Sequence, residues 1–148
     1  MIVIVFAVFT IFNTISAAPT VYLDCGSKGG KVESVDITPC NEQPCQLKKG
    51  TTPQLTIKYK ALEDTKSGTV SVHGKIGPIF VPFPLPDSDL CKFSSPACPI
   101  TTGEEVTYSN SITVLSSYPA IRLTVKWELV DDQGNDLICI TFPAAIVN

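Results

Sequence analysis

Ile121, Leu123, Val125, Trp127 and Leu129 alternate with Arg122, Thr124, Lys126 and Glu128. One face of this segment is dry and the other wet, the period-two signature of a half-buried strand. Turn-forming residues follow from Asp131 to Asp136. Ile138, Ile140 and Phe142 then alternate with Cys139 and Thr141, so the two segments are expected to pair as a hairpin. The same period recurs upstream. Val35 and Ile37 alternate before the turn at Pro39-Cys40. Leu55, Ile57, Tyr59 and Ala61 alternate with Thr56, Lys58 and Lys60, and Val70, Val72 and Gly74 with Thr69, Ser71 and His73. Val106 and Tyr108 precede a phase shift near Asn110. No segment of normal helical length carries an apolar stripe at helical spacing. About seven short strands separated by turn signals predict an all-β fold, an antiparallel sandwich of immunoglobulin-like type.

Pro78 to Pro86 breaks the pattern. It holds four of the chain's twelve prolines, with Ile79, Phe80, Val81, Phe83 and Leu85 between them. Each proline fixes φ and lacks an N–H, so the segment is neither a helix nor a central strand. It reads as a stiff, extended or edge segment whose side chains lie on the core or line the mouth of an apolar pocket. Leu85 to Thr102 reads as loop, and Tyr118-Pro119 as a turn beside the strand that carries Trp127.

A length of 148 residues suggests one domain. A net charge of −3 and a pI near 5.0, with no Lys/Arg-rich run, argue against a nucleic-acid partner. Met1 to Ala18 carries no charged side chain, Ile2 to Phe12 is almost wholly apolar, and Ser16, Ala17 and Ala18 are small. That is the apolar core and cleavage zone of a secretory signal peptide, although a basic start is missing. The run is too short to favour a membrane anchor. Pro19 disfavours cleavage directly before it, so residues 1–17 are expected to be the leader and 18–148 the mature domain.

All six cysteines follow the leader, an even number suited to three disulfides in an oxidising compartment. The spacing is not that of a zinc site. Cys40/Cys45 and Cys91/Cys98 can close small loops and leave Cys25 and Cys139 to join the ends, but spacing alone permits fifteen connectivities. His73 is the only histidine. It shares its face with Thr69 and Ser71 and reads as a solvated or hydrogen-bonded strand residue rather than a catalytic base. Asp131-Asp132 and Asp87/Asp89 stand among turn residues, where aspartate bonds to the backbone, and they lack the further ligands of a calcium loop. Lys48-Lys49 reads as a solvated turn before Gly50. There is no phosphate-cradling glycine loop and no glycosylation sequon. No catalytic residue, metal or cofactor is expected.

A set of local motifs carries a resemblance. It comprises Asp24-Cys25-Gly26-Ser27, Pro39-Cys40, Gln43-Pro44-Cys45-Gln46-Leu47, Lys49-Gly50, His73-Gly74, Val81-Pro82-Phe83-Pro84, Asp89, Cys91-Lys92, Cys98-Pro99-Ile100, Tyr118-Pro119, Trp127 and Asp131-Asp132. The chain resembles the ML lipid-recognition family that contains the Niemann–Pick type C2 proteins, from about Asp24 to Val147. The resemblance implies an immunoglobulin-like sandwich whose sheets part to admit a lipid, with disulfides Cys25–Cys139, Cys40–Cys45 and Cys91–Cys98. It implies a non-enzymatic carrier of a sterol or fatty acid. Its pocket residues correspond to Phe83, Val114, Tyr118 and Pro119, with Trp127 nearby; Val81, Leu47 and Phe142 complete the expected lipid-binding set.

Ile79, Phe80, Lys49, Asp89 and Lys92 are expected to contact a membrane or a partner, such as a membrane sterol transporter. A monomer is expected. Delivery to lysosomes through a mannose-6-phosphate tag needs a glycan, so the missing sequon points to secretion. Ser117 and Ile140 replace an acidic and an aromatic residue of vertebrate sterol carriers, and imply a pocket of different shape. Two rival readings are a carrier of semiochemicals or fatty acids in extracellular fluid, and an innate-immune lipid-recognition module acting through a protein partner.

A pocket for such a lipid spans several hundred Å³. A dry cavity of ~300 Å³ costs ~7 kcal/mol at ~24 cal/mol per Å³, comparable to a domain's whole stability of ~5–15 kcal/mol. The free protein is therefore expected to keep its pocket partly collapsed.

Overall fold

The computed structural model describes residues 20–148. The expected leader over residues 1–17 lies outside the described residues. The strands are β1 (Leu23–Asp24), β2 (Gly30–Thr38), β3 (Cys45–Lys48), β4 (Gln54–Ala61), β5 (Gly68–Ile76), β6 (Ile79–Pro82), β7 (Ser94–Ser95), β8 (Glu105–Ser111), β9 (Arg122–Asp131) and β10 (Asp136–Val147). The described residues contain no α-helix; one 3-10 turn spans Cys91–Phe93. One sheet runs β1-β10-β9-β5-β6, and the other β2-β4-β8-β7. The two pack face to face as an all-β sandwich.

The segment with the clearest alternation is β9. Leu123, Val125, Trp127 and Leu129 are buried, and the residues between them are half exposed. It pairs antiparallel with β10, Trp127 opposite Ile140 and Val125 opposite Phe142. Asp131 builds the connecting turn: its Oδ1 accepts the amides of Gln133 and Asn135, each at 2.9 Å. A bulge between Asp136 and Ile138 shifts the register. Leu137 to Ile140 are all buried, so this part of β10 is covered on both faces. From the second sheet, Val35, Ile37, Leu55, Ile57, Tyr59, Val106 and Tyr108 close on the same core.

The proline-rich stretch divides in two. Gly77-Pro78 forms a two-residue turn with Ile76 opposite Ile79, and Gly77 takes φ +60°, as the first central residue of a tight hairpin turn requires. β6 is then the edge strand, and Ile79, Phe80 and Val81 are exposed at 62%, 49% and 38%. The expectation that these side chains face the core or a pocket fails for this half, because β6 continues the sheet outward past its cover. It holds for Phe83 and Leu85, which pack against the core.

Three short strands have no forecast in the alternation. β1 and β3 share one edge of β10, with Leu23 opposite Thr141 and, in parallel, Cys45 opposite Ala144. β7 pairs with β8. The structure joins Cys25 to Cys139, Cys40 to Cys45 and Cys91 to Cys98. The first spans 114 residues of sequence, and closing so long a loop stabilises by on the order of 4–5 kcal/mol through unfolded-chain entropy.

Candidate functional site

The two ends of the sandwich differ. Where β9 turns into β10, at the filled end, Leu129, Leu137 and Ile138 are completely buried, and the space there is an open polar cleft on the surface bordered by Asp87, Asp89, Lys92, Asp131 and Asp132. At the opposite end, where β9 begins and β10 ends, the sheets enclose two small spaces. The first is lined by Leu47, Phe83, Ile112, Thr113, Val114, Tyr118, Leu123, Val125 and Ile146. The second lies deeper, between Ile37, Leu47, Pro53, Gln54, Leu55, Ile112, Val125, Trp127 and Phe142. Leu47, Ile112 and Val125 belong to both and form the partition. The cavity volumes are only about 20 and 10 Å³, room for about one water each. Both spaces are small and lined almost wholly by apolar side chains.

The mouth is shut by two rings. Phe83 and Tyr118 meet edge to face, centroids 5.2 Å apart and planes at 75°, a favoured aromatic geometry. The Phe83 amide donates to the Val72 carbonyl at 2.9 Å, which ties the residue to β5 beyond the end of β6. Tyr118 is held by a turn in which its amide donates to the Leu115 carbonyl at 3.1 Å. The segment from Ile112 to Val114 runs beside Gly50 to Pro53. The Ile112 amide donates to Pro53, the Val114 amide to Thr51, and the Gly50 amide to Val114.

Among the expected lipid-binding residues, the structure gathers Leu47, Phe83, Val114 and Tyr118 around the first space, and Leu47, Trp127 and Phe142 around the second. Val81 and Pro119 line neither; both are exposed. Leu123 and Val125 were on the dry face of the clearest strand, so alternation already pointed inward at them. Ile112 and Thr113 sit in an irregular segment that has no period to read.

Charge is kept out of this interior. Burial pushes the Tyr108 phenol up to about 12 and the Tyr59 phenol upward as well, so both stay neutral. The ionic groups lie outside. Lys75 and Lys126 place their Nζ atoms 5.7 and 5.5 Å from the Phe80 ring centre, within cation–π reach. Asp87 Oδ1 accepts the Asp89 amide at 3.0 Å, and Asp89 Oδ1 the Cys91 amide at 2.9 Å, which shapes the loop of the Cys91–Cys98 bond. Lys92 donates to Asp87 at 2.9 Å. The Asp89 amide's bond and then that of Lys92 hold the Asp87 carboxyl below its ordinary value, while Asp87 raises Lys92.

The five expected contact residues do not form one surface. Asp89 bridges to Thr69 near the start of β5, whereas Phe80 pairs with Lys75 near its end, a separation of roughly 20 Å along an extended strand. Ile79, Phe80 and Lys49 lie toward the pocket end, and Asp89 and Lys92 toward the filled end. His73 sits on the outer face, Nδ1 3.3 Å from Ser71 Oγ, with no acid orienting it. Glu128, Asp136 and Cys139 bring their ligand atoms within 4.8 Å of one another. The Cys139 sulfur is spent in its disulfide, which leaves only two carboxylates.

The ML domain pattern matches residues 20–146. The NPC intracellular cholesterol transporter 2 of Danio rerio is 42% identical over 132 residues, 89% of this chain and 88% of that protein. Its homolog a from Drosophila melanogaster is 40% identical over 127 residues, 84% and 86% of the two chains. The crystal structure of a Niemann–Pick type C2 protein from the Japanese carpenter ant superposes with a TM-score of 0.80 at 29% identity, covering 86% of this chain and 99% of that one. The aromatic pair and the two apolar spaces behind it thus stand on a fold shared with these proteins, and the chain belongs to the ML domain family.

Proposed function

We propose that the protein is a secreted lipid carrier. It takes a sterol, or else a fatty acid, between its sheets past Phe83 and Tyr118, and releases it to a membrane or a partner protein. The observation that carries this reading is the pair of apolar spaces behind the ring pair, separated only by the side chains of Leu47, Ile112 and Val125. Parting the sheets at this end merges the spaces into one slot. Removal of apolar ligand surface from water, at roughly 25 cal/mol per Å², drives the opening. No bond is made or broken, so no catalytic group is called for. The names of the relatives, cholesterol transporters in fish and fly, support a sterol as cargo.

Delivery is assigned to the β6 hairpin. Ile79 and Phe80 are apolar and exposed, and Lys75 and Lys126 flank Phe80. An apolar edge ringed by cations suits an anionic lipid surface, and Lys49 adds a further positive charge toward the same end. Asp89 and Lys92, at the other end, shape their own loop instead.

The test is extraction of the purified protein and mass spectrometry of what it carries, followed by titration of the stripped protein with sterol and with fatty acid. A stoichiometric lipid, or saturable binding of either, is expected. A lipid-free monomer that refuses both would leave the module acting through a protein partner as the better reading.

A further inference from the structure

The geometry points to Gly74 as the residue that sets the width of the pocket mouth, and through it the preference for a flat fused-ring lipid over a single acyl chain. This inference rests on the pocket proposed above. Gly74 lies in β5, buried, in the inward register of Val70 and Val72. A glycine inside a strand costs stability and packs nothing. Backbone conformation does not demand it here: the glycines with positive φ are Gly26, Gly50, Gly77, Gly103 and Gly134. The demand is for room. A Cβ on Gly74 would lie 2.8 Å from Leu123 Cδ1, 3.0 Å from Phe83 Cζ and closer still to Phe83 Cε2. Contacts between carbons are comfortable only from about 3.5 Å. The Phe83 ring therefore lies on bare β5 backbone, in the seat a side chain would otherwise fill.

The Phe83 backbone has little slack, so the ring must do the moving. The Phe83 amide is bonded to Val72, and Pro82 and Pro84 restrict the chain on either side. A methyl group at position 74 must lift the ring off β5, toward Tyr118 and into the space both rings enclose. Leu123, which lines the same space, is pushed the same way. The slot narrows from one wall. A fused ring system is rigid and must pass the narrowed slot at full width. An acyl chain is thinner and turns about its single bonds around an obstruction. Glycine at position 74 thus keeps the mouth wide enough for the rigid ligand.

The experiment measures affinity for dehydroergosterol, a fluorescent sterol, and for cis-parinaric acid, a fluorescent fatty acid. The proteins are the wild type, Gly74→Ala, Phe83→Leu and the double variant, each with its thermal melting curve. Gly74→Ala is expected to lower the ratio of sterol to fatty-acid affinity by about tenfold or more, the discrimination one methyl group provides in a tight apolar site. Phe83→Leu removes the ring, which makes the closest of the contacts and leaves only that with Leu123 Cδ1, so in the double variant the ratio should return most of the way to that of Phe83→Leu alone. An unchanged ratio in Gly74→Ala, with both affinities reduced equally, would mean that the glycine only supports the fold and would overturn the inference. So would a double variant whose ratio stays low. If Gly74→Ala does not fold, the double variant decides: it must fold and come most of the way to Phe83→Leu. A wild type that binds neither probe removes the pocket itself, an outcome distinct from a pocket whose selectivity ignores position 74.

Discussion

Where β9 turns into β10, Leu129, Leu137 and Ile138 are completely buried and the Cys25–Cys139 bond fastens the edge. Roughly 20–25 Å of the same two strands lead to the other end, where Leu123 and Ile146 border a space that the rings of Phe83 and Tyr118 help to close. On the proposed reading, the filled end holds the sheets together while the mouth opens. A domain with ~5–15 kcal/mol of stability cannot hold a large dry cavity open, but it can keep one end well packed while the other parts around a ligand. The proposed function thus assigns immobility and adaptability to opposite ends of one sandwich.

The strongest way to break this division is to cut the filled end loose. Replacing Cys25 and Cys139 together by serine should cost on the order of 4–5 kcal/mol, read as a lower denaturant midpoint. Lipid affinity per folded molecule should stay the same. An affinity loss as large as the stability loss would show that the two ends do not act separately.

Trp127 comes next. It is 1% exposed, at the centre of β9, edge to face with Tyr108 at 6.3 Å. Trp127→Ala should cost ~3–5 kcal/mol by thermal or chemical unfolding.

The smallest effect sharpens the comparison through pH. Asp136 opens β10 at the filled end, beside Glu128. Burial first, then the hydrogen bond and charge of Glu128, push its pKa from 3.8 up to about 6, against the pull of Lys126 and Lys28. The folded state therefore holds the proton more tightly than the unfolded chain. This contribution to stability is fully present below pH 3.8 and is lost as pH rises through about 6. Asp136→Asn should raise the melting temperature at neutral pH and leave it unchanged in strong acid. Equal shifts at both pH values would remove the titration from the account.

Much of the two long strands could be read from the chain, because they alternate: Leu123, Val125, Trp127 and Leu129 in β9, and Ile138, Ile140 and Phe142 in β10, face the core as their period says. The mouth was legible only in part. Phe83 was marked by its prolines, and its neighbours Val114 and Tyr118 by resemblance rather than by pattern. Ile112 and Thr113 line the first space from a segment without period. β3 is four residues long behind Pro44, and its parallel pairing with β10 depends on a partner almost a hundred residues away. Gly74 read as one more strand position. Its meaning appears only when Phe83 is placed on top of it.

Phe83→Ala tests the central claim most directly, with Trp127→Ala beside it. Two quantities are measured for each: thermal stability of the lipid-free protein and sterol affinity per folded molecule. A half-buried phenylalanine at the rim of the first space should cost less stability than the ~3–5 kcal/mol of Trp127, which is 1% exposed and borders only the deeper space, and much affinity. The account predicts that Phe83→Ala melts well above Trp127→Ala and binds sterol far more weakly than the wild type. A Phe83→Ala protein that melts as low as Trp127→Ala while binding sterol as tightly as the wild type would contradict it.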